Sequence, residues 1–110
     1  LELSRNAVGT RGGVALAAAA KKFPALTSLR LWDDRLTPAA VAALAASPIM
    51  AKLTSLDLNA NKIGPAGARA LADSPRLQNL TSLIVDEQPV GARGKQALLA
   101  RFGEGVVSFR

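Results

Sequence analysis

Leu56-Asp57-Leu58-Asn59-Ala60-Asn61-Lys62-Ile63 decides how this chain is read, because the same phrase returns along its length. With x for any residue, it is L-x-L-x-x-N-x-L. Earlier copies run Leu1, Leu3, Asn6, Val8 and Leu29, Leu31, Asp34, Leu36, and a later one runs Leu83, Val85, Gln88, Val90. Their first residues lie 28, 27 and 27 positions apart. A fixed period of this size marks a solenoid, in which each unit buries its apolar face against its neighbours. Three copies have a further Leu three residues ahead, at Leu26, Leu53 and Leu80.

Alternation around L-x-L predicts a short strand with one buried face. Equivalent strands of successive units then lie side by side in one direction, giving a parallel sheet. Gly9, Gly64 and Gly91 follow the last apolar position of three copies, where a turn often needs positive φ. Pro38 and Pro65 suit a first helical turn. Apolar residues at helical spacing follow, at Ala40, Val41, Leu44 and at Ala68, Leu71, Ala72. Ser47-Pro48 and Ser74-Pro75 end those runs, since Pro cannot donate and restricts the residue before it. The first unit runs on through Ala17–Ala20, Lys21 and Lys22 to Phe23-Pro24, which predicts a helix about one turn longer.

Four in-phase copies with a long helical half resemble the leucine-rich repeat family, specifically its ribonuclease-inhibitor-like class, as the C-terminal part of a bacterial-type array. The resemblance covers nearly the whole chain. It implies an α/β horseshoe solenoid, with a parallel inner sheet and outer helices, and a protein-binding rather than catalytic role. The expected units are about 1–28, 29–55, 56–82 and 83–106, with a closing strand at 107–110, all in one domain. The resemblance also implies that the Asn amide pairs with backbone groups inside the turn. Asn6 and Asn61 keep it. Asp34, if ionised, can only accept, and Gln88 is one methylene longer, so both turns are expected to rearrange. Val107-x-Phe109 repeats the strand alternation 24 positions after Leu83. With Phe102 it reads as a closing cap, and the N-terminal end is expected to be open, apolar and able to self-associate.

The composition limits the chemistry. The 110 residues are 49% hydrophobic and 20% charged, enough for a modest core and too apolar for a disordered chain. His, Cys and Tyr are all missing, and with them the commonest general base, the commonest metal ligand and every thiol. An enzyme, a cofactor and a metal are therefore not expected. No apolar run is long enough to span a bilayer and no signal-peptide pattern is present, which together with the lack of Cys suits a cytoplasmic protein. The chain opens on Leu1, inside a unit, and reads as a piece of a longer array. Asn79-Leu80-Thr81 fits a glycosylation acceptor, but its Leu is a predicted core residue.

Residues between and after the strand leucines point away from the core. These are Glu2, Ser4, Arg5, Arg30, Trp32, Asp33, Asp57, Asn59, Ala60, Ile84, Asp86 and Glu87. They carry five acids and two bases, while the remaining twelve bases and three acids lie on the helical and loop side. The concave face is thus mildly acidic and would suit a basic protein partner. A solvent-facing Trp is unusual there, and Trp is enriched among binding hot spots. Arg30, Trp32, Asp57, Asn59, Ile84 and Asp86 are the expected partner contacts. The convex bases are spread singly without interleaved aromatics, so neither nucleic acid nor a membrane is expected. The alternative role is a structural spacer or capping segment with no ligand of its own.

Overall fold

A computed structural model describes residues 1–110, the side chain of Gln88 excepted. Helices and strands alternate as α1 (Gly9–Ala18), β1 (Ser28–Arg30), α2 (Pro38–Ala46), β2 (Ser55–Asp57), α3 (Gly64–Ala72), β3 (Ser82–Val85), α4 (Glu87–Phe102) and β4 (Val107–Phe109). The four strands form one parallel sheet in the order β1-β2-β3-β4. Leu29 pairs with Leu56, Leu56 with Leu83, and Leu83 with Val107, so the repeat phase is also the sheet register. The last strand, Val107–Phe109, closes the sheet by pairing with β3.

The first unit departs from expectation. Leu1-x-Leu3 makes only a bridge, Glu2 to Arg30, rather than a strand. The Leu3 N–H still donates to the Arg30 carbonyl and the Arg30 N–H to the Leu1 carbonyl, each at 2.9 Å. Nor is its helix a full turn longer. α1 has 10 residues against 9 in α2, and each is followed by a 3-10 turn, at Ala20–Lys22 and at Pro48–Met50.

Burial follows the phrase. Leu29, Leu31, Leu56, Leu58, Leu83 and Val85 are fully enclosed, together with Leu36, Ile63 and Val90 from the ends of the copies. Gly9, Gly64 and Gly91 have φ of +63°, +64° and +74°, the left-handed region that Gly enters without a Cβ penalty. Gly91 interrupts α4, so residues 87–90 make a helical turn of their own where the fourth copy carries Gln88. Unit two has Thr37 in place of the glycine, and its hydroxyl caps α2 by accepting from the Ala40 N–H at 3.4 Å.

One further period sits on the inner side of the helices. Gly13, Ala40, Gly67 and Gly94 are each 27 residues apart. A Cβ on Gly13 would lie 2.7 Å from the Ala40 Cβ, and one on Gly94 would lie 3.0 Å from the Ala68 Cβ. Small side chains here let successive helices approach at the spacing the sheet imposes.

Phe102 and Phe109 pack against the core at the C-terminal end, both half-buried. Their faces are covered by cations. The Arg101 guanidinium lies 4.8 Å from the Phe102 ring centroid and the Lys95 ammonium 5.1 Å from that of Phe109.

Candidate binding surface on the open face of the sheet

The turn after each strand sets how the face is presented. Asn61 is fully buried, and its amide nitrogen donates to the carbonyls of Leu31, Leu58 and Asn59 at 2.8, 3.0 and 3.2 Å. Its oxygen accepts from the backbone N–H groups of Asp34 and Leu36 at 3.0 and 2.9 Å. The side chain therefore saturates otherwise unsatisfied backbone in its own unit and the one before. Asn6 makes only the local half, to the carbonyls of Leu3 and Ser4. The expected change at Asp34 takes a specific form. Its Oδ1 accepts from the Asn6 N–H at 2.6 Å, while its buried Oδ2 has no partner among the described residues. The Gln88 side chain lies outside the described residues.

Held by these turns, Arg30, Trp32, Asp57, Asn59 and Ile84 gather around one open hollow of about 400 Å³. Five of the six residues expected to make contacts are thus neighbours in space. Asp86 is the exception. Its carboxylate is occupied by the Ala60 N–H at 2.9 Å, which ties the third turn to the fourth, and it does not line the hollow. Arg110 takes its place, brought in by β4. Its backbone N–H donates to the Val85 carbonyl at 2.9 Å, and its carbonyl accepts from the Glu87 N–H at 3.2 Å.

Charges around the hollow are largely matched. The Arg30 Nε lies 3.2 Å from a Glu2 carboxylate oxygen and 3.9 Å from one of Asp57. Arg5 approaches Asp33 at 4.0 Å and stands over Trp32, 5.7 Å from the ring centroid. The Asp57 side chain is largely covered, while the Glu2–Arg30 and Arg5–Asp33 pairs are exposed on both sides and contribute little to stability. Their consequence is organisational, because Glu2, Arg30 and Asp57 form a chain along the wall. Trp32 is half-buried, and its backbone N–H donates to the Ser4 hydroxyl at 3.1 Å. The Ser4 hydroxyl and backbone N–H also hold the Glu2 carboxyl below the usual carboxylate range, with a smaller contribution from Arg30. The backbone contact is 2.8 Å.

Among the described residues no three carboxylates meet in a way that could hold a metal ion. No helix among the described residues is long and apolar enough to cross a membrane.

A family model described as Leucine Rich repeat matches residues 1–17 and 50–72, which carry the first and third copies of the phrase. The parallel ladder in repeat register agrees with it. This fold is a leucine-rich-repeat solenoid. No curated protein matches the chain. Leucine-rich repeat domains are generally protein-interaction modules and are typically not enzymes.

Proposed function

We propose that this leucine-rich repeat segment, of the ribonuclease-inhibitor-like class, binds a protein partner through the open face of its sheet. The hollow shared by Arg30, Trp32, Asp57, Asn59, Ile84 and Arg110 is the observation that carries the reading. Trp32 and Ile84 offer apolar surface, and Arg30 and Asp57 offer charge of both signs beside it. A bulky apolar side chain on Trp32 and Ile84, with a neighbouring cation directed at Glu2 and Asp57, fits this arrangement. The class assignment is supported by the unit of 27 or 28 residues with a helix of 9 or 10 in its second half.

The test is Trp32→Ala, measured by calorimetric titration against a partner isolated with the intact chain. Loss of a central aromatic anchor should cost about 2 kcal/mol or more, roughly thirtyfold in Kd, with the unfolding midpoint little changed. Unaltered affinity would show that Trp32 is not the anchor and that the hollow around it is not the contact surface.

A further inference from the structure

A second hollow, also about 400 Å³, lies on a different side of the molecule, at the rim where the helices end and the chain returns to the sheet. Phe23, Pro24, Leu26 and Ile49 line it, with Lys21 and Lys52 beside them. Its origin is legible in the 27-residue register. Phe23 stands where later units have Met50 and Leu77, both fully enclosed, yet Phe23 and Leu26 are only half-buried. Ile49 stands at the position of Arg76, and Lys52 at that of Asn79. In the following gap Asn79 donates its amide to the Ala51 carbonyl at 3.2 Å and ties the two units together. Lys52 makes no such bond among the described residues. One gap between units is laced and the one before it is left open over an apolar floor.

Its charge is unmatched. Among the described residues Lys21, Lys22 and Lys52 form no ion pair, and no acidic residue lines the hollow. Seven of the eight acids are placed elsewhere: five lie on or beside the sheet face, Asp34 lies inside a turn, and Asp73 pairs with Arg69 at 3.6 Å; the eighth, Glu104, lies in the loop before β4 and does not line the hollow.

We infer that this rim hollow binds an acidic peptide segment of a partner protein, with one bulky apolar side chain in the hollow and flanking carboxylates on Lys21 and Lys52. A membrane surface fits less well, because insertion uses projecting apolar side chains and those here are recessed. Nucleic acid would leave the apolar floor empty and find no exposed aromatic on which to stack a base.

The probe is a short peptide with a central Leu-Phe pair flanked by Asp and Glu, titrated into the ¹⁵N-labelled chain. Amides of residues 20–26 and 48–52 should shift, while emission from Trp32, on the sheet face, stays unchanged. The double variant Lys21→Glu, Lys52→Glu alters exposed side chains only. It should keep the unfolding midpoint and weaken binding at least tenfold. Trp32→Ala should leave this binding intact, so failure here is distinct from failure of the sheet-face reading. Equal binding of a peptide with Lys in place of the acids overturns the proposal. So does absence of shifts at millimolar peptide, a response confined to the sheet face, or preferential binding to phosphatidylserine vesicles.

Discussion

The amide oxygen of Asn61 accepts the backbone N–H of Asp34 at 3.0 Å, yet Asp34, at the same position one unit earlier, leaves its own Oδ2 buried without a partner. One sequence position thus holds a saturated turn in the third unit and a deficient one in the second. A buried polar atom without a partner costs about 1–3 kcal/mol. Asp34→Asn keeps the shape and supplies an amide that can donate to the Leu31 and Trp32 carbonyls, the counterparts of Leu58 and Asn59. Stability at neutral pH should rise by about 1–2 kcal/mol, read as a higher urea midpoint at constant slope. An unchanged midpoint would show that the turn tolerates the orphan without cost.

Burial along the array is uneven, and truncation should follow it. Leu58 is 1% exposed and Leu1 is 39% exposed. Leu58→Ala opens a cavity among packed leucines and should cost ~2–5 kcal/mol. Leu1→Ala should cost under ~1 kcal/mol, because little area is removed from the core. Chemical denaturation of both variants checks the contrast, and equal costs would contradict a loosely held first unit.

The small residues on the inner face of the helices set a steric limit. Gly13→Ala places a methyl group 2.7 Å from the Ala40 Cβ, a backbone-anchored atom that cannot swing aside. Ala normally gains about 1 kcal/mol over Gly within a helix, but overpacking costs ~1–3 kcal/mol. The expected net effect is a lower thermal midpoint. Gly105→Ala meets nothing within 4 Å and should be neutral.

Acid should loosen the N-terminal edge late. The Glu2 carboxyl is held below its ordinary range, first by the Ser4 hydroxyl and then by the Ser4 N–H. A folded pKa below the unfolded one means the stabilising contribution is complete above the unfolded value. It disappears as the pH falls through the folded one. Ser4→Ala should therefore move the Glu2 titration midpoint upward, followed by NMR of the side-chain carboxyl. An unmoved midpoint would assign the shift to the backbone N–H of residue 4 and to Arg30 rather than to the hydroxyl.

The ladder was legible because burial alternates along L-x-L and the period is fixed, so Leu29, Leu56 and Leu83 identify one another from spacing alone. Five of the six face residues come together for the same reason, since outward strand positions in register are neighbours. What the sequence left hidden depends on partners from other units. Ser47 and Ser74 read only as helix stops, yet their hydroxyls donate to the Ala17 and Ala45 carbonyls of the preceding unit. Thr54 and Thr81 similarly reach back to the carbonyls of Thr27 and Thr54. Asp86 looked free because its strand position faces outward, but the Ala60 N–H occupies it. Arg110 enters the hollow only through the pairing of β4 with β3. The rim hollow could have been found by aligning Ile49 and Lys52 with Arg76 and Asn79, a comparison of loop positions outside the phrase.

The side-chain bonds between units share a direction. Asp34, Ser47, Thr54, Asn61, Ser74, Asn79, Thr81, Asp86 and Arg101 all complete backbone in the unit before their own, and Ser4 with Trp32 runs the other way. A chain made from its N-terminus therefore emerges with each newest unit unfinished. The turn at Asp34 and Leu36 waits for Asn61, some 27 residues of synthesis later. During that interval the latest turn is the part of the nascent chain most open to chaperones and proteases.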